Sequence, residues 1–353
     1  MELKLDKQKK NAARDAAAGA GAPAKTRKIV TVFAVIASVV AALGVFLMVW
    51  YLGDRYPDFE RRFRQETEIP ALDEGFIPQG LGNSADGDVM FISGYMNDGS
   101  PSRIYVLEDG AVTGYVTVTL DDGSAYTGHA GGVASNGTSR VWIASGGKIY
   151  VLSYSEVMSA AEDNGAVEIT NSWNANCNAS FCYYRSGYLY VGEFYRAGNY
   201  ETDMSHRFTT PAGDENTAII LRYSATTSTP AAPSRIFSIT GKIQGMAMSE
   251  DGSKIILSQS YGLHNSHILT YSFSTSSTAH SDDAITINGT EYDVYFLDSA
   301  NLLSDYEIPS MSEGMCSDGD RIYVLFESAS VKYGAFVREK LEHIYSFRLR
   351  NAD

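Results

Sequence analysis

One phrase recurs five times along this 353-residue chain, and a recurring strand-rich phrase narrows the fold more than any other feature. It reads Gln79-Gly80-Leu81 … VMFIS, Gly131-Gly132-Val133 … RVWIAS, Ala179-Ser180-Phe181 … YLYVGE, Gln244-Gly245-Met246 … KIILSQS and Glu313-Gly314-Met315 … RIYVLFES. Each copy is a small residue, an apolar residue, a polar turn and a strand of branched and aromatic residues. Copies spaced by roughly 50 to 70 residues predict a propeller or a related closed array.

Each unit continues with a third strand (SRIYVLE, GKIYVLS, AIILRYS, SHILTYSF, HIYSFRL), and several add a fourth (AVTGYVTVTL, GAVEITNSW, SRIFSIT). Four strands per unit is one propeller blade. The expected fold is therefore an all-β, five-bladed β-propeller. A six-bladed ring follows if residues 281–308 form a degenerate blade. Within that segment Asn288-Gly289 sits between alternating strands and signals a tight hairpin. The last unit lacks an outer strand, which the segment 67–76 is placed to supply, removing two exposed sheet edges.

Residues 29–52 carry no charge over 24 positions, and at 1.5 Å per residue they reach roughly 36 Å, enough for a bilayer core. Lys4, Lys7, Lys9, Lys10, Arg14, Lys25, Arg27 and Lys28 precede them, and Trp50 and Tyr51 end them. Positive flanks stay cytoplasmic, and amphipathic rings favour the interface. The apolar run exceeds the 7–15 residues of a cleaved leader. The expected layout is a cytoplasmic basic tail at 1–28, a transmembrane helix at 29–52, a stalk at 53–66 and an extracytoplasmic propeller at 67–353. The chain would be a single-pass protein of the cell membrane.

Net charge is −14 although the tail is basic, so the expected ectodomain is acidic and a nucleic-acid partner is not expected. The cysteines are Cys177, Cys182 and Cys316, too few for a disulfide framework; a Cys177–Cys182 bridge is the one pairing their spacing suggests, against three buried thiols.

The blade pattern resembles the gluconolactonase-like and NHL-like propellers. The phrases IPQGL, GHAGGVA, SEGM and VLFESAS resemble a group of membrane-anchored bacterial propellers without assigned activity. The resemblance implies the fold and leaves chemistry open, because propellers host many functions.

In a propeller the entries to the innermost strands ring the channel mouth. Alignment of the copies places Gln79, Gln244 and Glu313 there, with His129 and Asn178 as the nearest polar residues of their blades. Glu193 and Glu327 follow the second strands and join that face, as do Tyr95, Gln259, Tyr261, His264, Lys332 and Tyr333. The long segment Phe194–Thr217, with His206 inside, has the length of a lid or binding loop. Polar axial residues also serve as ties between blades.

The leading functional expectation is a ligand-binding module for a cell-envelope glycan, peptide or protein, using Gln79, His129, Asn178, Glu193, Gln244, Glu313 and Glu327. The alternative is a calcium-dependent hydrolase of esters, lactones or phosphoesters. Glu193, Glu313 and Glu327 would then be metal ligands and His129 a base. Calcium is the one cofactor such chemistry calls for, and the resemblance to calcium-dependent lactonases is in layout only, with Glu313 the sole acidic axial entry. A glycoside hydrolase with two of these carboxylates is a further alternative. No G-x-S-x-G elbow or phosphate-cradling loop occurs, and no catalytic residue is assigned from sequence.

Overall fold

A computed structural model describes residues 10–11, 24–52, 56–273 and 280–349. The chain divides into two units, 1–55 and 56–353. In the first, a helix runs over Ala24–Leu52. Its described side chains are those of 31–33, 35–46 and 48, and large apolar groups among them, including Phe33, Val39, Leu43 and Phe46, are exposed around its whole circumference. Among the described residues no helix is long and apolar enough to cross a membrane.

The second unit holds five four-stranded blades. Their innermost strands are Phe76–Asn83, Gly132–Ser135, Ala179–Arg185, Ile243–Met248 and Ser312–Asp318. Each inner strand touches the next, and the fifth touches the first, so the ring is closed. The reason for the repeated small residue is this contact. A Cβ on Gly314 would lie 2.3 Å from the Leu81 amide nitrogen, which leaves room for nothing beyond hydrogen.

Second, third and outer strands follow antiparallel in each blade. In blade 1 they are Val89–Met96, Arg103–Glu108 and Ala111–Thr119. In blade 2 they are Arg140–Ser145, Lys148–Ser153 and Asn171–Asn174. Blade 3 uses Tyr188–Glu193, Ala218–Ser224 and Pro233–Ile239. Blade 4 uses Lys254–Gln259, Ser266–Ser272 and Leu302–Ile308. Alternation buries one set of side chains against each neighbouring blade. Phe91, Val106 and Val116 of blade 1 meet Val133, Ile143 and Leu152 of blade 2, and Trp142, Leu189 and Leu221 fill the next gap.

Residues 281–308 are not a sixth blade. His280–Ile287 and Thr290–Phe296 form the hairpin expected at Asn288-Gly289, whose φ values of 51° and 80° are those of a two-residue primed turn. This hairpin leaves blade 4 and pairs in parallel with the outer strand of blade 3. In the same way Ala166–Glu168, reached through the helix Tyr154–Ala161, pairs in parallel with the outer strand of blade 1. Both devices cover a sheet edge with chain from the following blade.

Blade 5 is completed by Arg321–Phe326, His343–Arg348 and an N-terminal strand, Arg64–Glu68. The closing strand thus begins three residues before 67, inside the expected stalk, while 70–75 is a turn. Residues 56–63 of the expected stalk are also absorbed. Pro57–Arg62 is a short helix whose Phe59 and the adjoining Phe63 pack on Phe326, Tyr345 and Phe347. The propeller unit therefore starts at Tyr56, not at 67. Glu66 latches the strand, accepting from Arg321 Nη1 at 3.0 Å and Ser346 Oγ at 2.5 Å. We expect Glu66→Ala to cost about 1 kcal/mol and to speed amide exchange in 64–68 while the other blades keep their protection.

All three cysteines are free thiols, so no Cys177–Cys182 bridge forms. Cys182 and Cys316 are buried as small core residues, and Cys177 is half-buried.

Candidate functional site

The expected ring of polar residues resolves into two separate networks. The first lies at the axis and links three adjacent blades. Gln79, at the entry of blade 1, donates Nε2 to Glu327 Oε2 at 2.8 Å, across the ring closure. Gln244, at the entry of blade 4, donates Nε2 to Glu313 Oε1 at 3.1 Å. Glu313 and Glu327 are 3% and 9% exposed, and they lie close enough to shift each other's ionisation. Two such carboxyls cannot both be charged at this proximity, so they share a proton. Burial, then the charge of Glu327, pushes Glu313 well above the ordinary carboxylate range. Burial lifts Glu327 to about 7, against the opposing Gln79 hydrogen bond, the neighbouring Glu313 and the charge of Lys332.

A cluster of aromatic groups around Lys332 lies near this chain of polar groups. Lys332 donates Nζ to Tyr95 Oη at 2.6 Å and lies 5.0 Å from the ring centres of both Tyr95 and Tyr333. His129 meets the Tyr95 ring edge-on at 4.7 Å. Burial and the Lys332 charge hold His129 below its ordinary range, so it is a neutral imidazole at physiological pH. Burial and the nearby Glu327 raise the Tyr333 phenol.

The second network lies on blade 3. Glu193, only 1% exposed, accepts the Asn178 amide N–H at 2.9 Å and the Ile219 N–H at 3.3 Å. His206 Nδ1 lies 3.0 and 3.1 Å from its two oxygens. The imidazole sits in a single turn, Met204–His206, capped by Asp203, whose carboxylate accepts from the Ser205 amide and hydroxyl. A shallow cleft of about 420 Å³ opens beside this pair, lined among others by Cys177, Asn178, Glu193, His206 and the hairpin tip at Asn288.

Gln79, Gln244, Glu313 and Glu327 are thus brought together, with His129 at their rim. Asn178 contributes its backbone rather than its side chain, and Glu193 belongs elsewhere. The carboxylate trio considered as calcium ligands is not gathered: among the described residues no three His, Cys, Asp or Glu side chains are placed to hold a metal ion. The His206–Glu193 pairing was not legible in advance, because loop spacing carries no period.

No family model matches the chain, and no curated protein matches it. Solved structures match only distantly. A gluconolactonase from Xanthomonas campestris aligns at 10% identity and a TM-score of 0.36, over 82% of this chain and 95% of that one. A putative 6-phosphogluconolactonase from Bacteroides uniformis aligns at 14% identity and 0.35, over 77% and 68%. A hydrazine synthase chain from Kuenenia stuttgartiensis aligns at 11% and 0.32, over 73% of this chain, which spans 56% of that one. The resemblance to lactonase-like propellers is therefore distant.

Proposed function

We propose that this protein is a membrane-anchored propeller that binds a cell-envelope glycan, peptide or protein at its channel mouth. The observation that carries the reading is the buried pair Glu313 and Glu327, held by Gln244 and Gln79, with Lys332, Tyr95, Tyr333 and His129 clustered nearby. Apolar side chains would fill an axis at lower cost than two buried carboxyls. Hydrogen-bonding groups under flat aromatic faces suit a polar ligand with apolar patches. The anchor rests on the uncharged run 29–52 and on the exposed apolar side chains among the described residues of 31–48. The basic residues before that run favour a cytoplasmic tail and an extracytoplasmic propeller.

The test is retention of the full-length chain, in detergent, on glycan and peptide arrays. Gln244→Ala is expected to weaken retention by roughly ten-fold, the scale of one lost hydrogen bond to a charged group, with little change in melting temperature. Loss of folding in step with loss of capture would mean that the polar chain is only a tie between blades. A calcium-dependent rise in melting temperature that vanishes in Glu313→Ala would favour the metal-dependent hydrolase instead.

A further inference from the structure

The most exposed large apolar side chains of the propeller unit gather on one face. Second strands end beside the inner-strand entries, as Glu193 does opposite Ala179, Gln259 opposite Ile243 and Phe326 opposite Ser312. The loops that follow them therefore share the face of the channel mouth. On those loops Met204 and Phe336 are each 72% exposed and Leu263 is 59% exposed, with Val331 and Tyr200 close behind. They belong to blades 3, 4 and 5, which are consecutive in the ring. The corresponding connections of blades 1 and 2, residues 97–102 and 146–147, carry no exposed large apolar side chain. The others of this unit among the described residues, Val112, Leu302 and Leu303, are less exposed and stand where outer strands begin, at the opposite face. A one-sided set of apolar loop tips marks a surface that something covers.

The place where the chain enters the propeller identifies the cover. Tyr56, the first residue of the unit, donates Oη to Asn265 Oδ1 at 2.8 Å, and Asn265 lies in the blade 4 loop that carries Leu263. Only residues 53–55 stand between Tyr56 and Leu52, where the uncharged run 29–52 ends. Fully extended, that link spans no more than roughly 14 Å. The propeller is thus tethered to the apolar run by the same face that carries the tips. We propose that this face seats Leu263, Phe336, Val331 and Met204 in the headgroup boundary of the bilayer that holds the run, and this rests on the anchor proposed above. Apolar groups at such a boundary enter by about 5–10 Å, a depth that so short a link permits. The net charge of −14 gives no attraction to anionic lipid, so the contact is apolar. Because blades 1 and 2 bring no tips, the ring meets lipid along one edge, and the channel mouth stays open on the other.

The full-length Cys177→Ser chain keeps only the buried Cys182 and Cys316. In it a nitrobenzoxadiazole label is placed singly at Leu263→Cys, Phe336→Cys, Val112→Cys or Leu43→Cys, all exposed positions, and circular dichroism checks that the fold is kept. Each is reconstituted in phosphatidylcholine vesicles with and without nitroxide-bearing acyl chains. Labels at 263, 336 and 43 are expected to lose roughly half of their emission to the nitroxide, in keeping with their depth, and the label at 112 to keep its own. Quenching at 43 without quenching at 263 and 336 overturns the proposal and leaves the anchor standing. No quenching at 43 overturns the anchor, and the proposal with it. Equal quenching at 112 and 336 would mean that no face is preferred, which overturns it too. Labels at 263 and 336 that are shielded from aqueous iodide yet indifferent to the lipid nitroxide would mean that a protein, a second copy included, covers the face instead.

Discussion

Gly314→Ala is expected to lower the melting temperature of the propeller by roughly 6–12 °C, and Gly314→Val to abolish the folded ring. The added Cβ would meet the Leu81 nitrogen at 2.3 Å, the Gly80 carbonyl carbon at 2.8 Å and the Gln79 oxygen at 2.9 Å. All three are backbone atoms of the innermost strand of blade 1, so no rotamer relieves the clash. Blades 5 and 1 must separate, at a cost of about 3 kcal/mol for one methyl and beyond the usual margin of about 5–15 kcal/mol for a branched side chain. Gly99→Ala is the control. It lies in a turn at φ +78° with nothing within 4 Å, so only backbone strain of about 1 kcal/mol applies. Thermal unfolding followed by circular dichroism checks both. A Gly314→Ala shift no larger than that of Gly99→Ala would mean that the inner strands do not touch as described.

The same contact explains why the architecture was legible in the sequence. Inner strands meet through backbone, which calls for a small residue at one place, and that residue is Gly80, Gly132, Gly245 and Gly314 in four blades, while blade 3 has Phe181 there, opposite Gly192. The hairpin at Asn288-Gly289 was legible for an equally local reason, since two successive positive φ values select those residues. The closing strand was legible as an N-terminal segment that completes the last blade, but not in its bounds. Arg64-Gln65-Glu66-Thr67-Glu68 is mostly exposed and carries no apolar alternation, so its pairing with His343–Arg348 leaves no mark in the residue pattern. The stalk failed as an expectation because Phe59 and Phe63, in a mostly charged stretch, find their partners about 270 residues later. The blade position of the candidate residues was legible, and their grouping was not. Position in the repeat places Gln79, Gln244 and Glu313 at the axis, but the loops after the second strands have no common length. Whether Glu193 turned toward Glu313 or toward His206 was therefore decided by tertiary packing alone.

Raising the pH from 4.5 to 7 is expected to destabilise the propeller through the axial pair, and Glu313→Gln to reverse much of that loss. The sign follows from proton counts. An unfolded chain releases these protons near 4.5, whereas the folded state holds the Glu327 proton up to about 7 and the Glu313 proton beyond it. Between those limits the native state binds more protons than the unfolded state, so unfolding becomes easier as pH rises. The contribution is fully present below 4.5 and is lost as pH passes through 7. For Glu327 the rise from 4.5 to about 7 corresponds to a loss on the order of 3 kcal/mol. In Glu313→Gln the amide removes the competing charge. The variant should melt higher than the wild type at pH 8, and the gap should close toward pH 5. The difference between the two curves isolates the pair from surface carboxylates such as Asp251, held at about 2 by the Ser249 and Ser253 hydrogen bonds, whose linkage runs the other way and at lower pH. Parallel melting curves from pH 5 to 8 would mean that no proton is shared at the axis. A ligand that donates hydrogen bonds to this pair must then compete with the resident proton, so capture on the arrays should strengthen with pH over the same interval in which the empty fold weakens. A site that becomes more costly to keep empty as it becomes readier to be filled is the behaviour that separates a binding mouth from a structural tie.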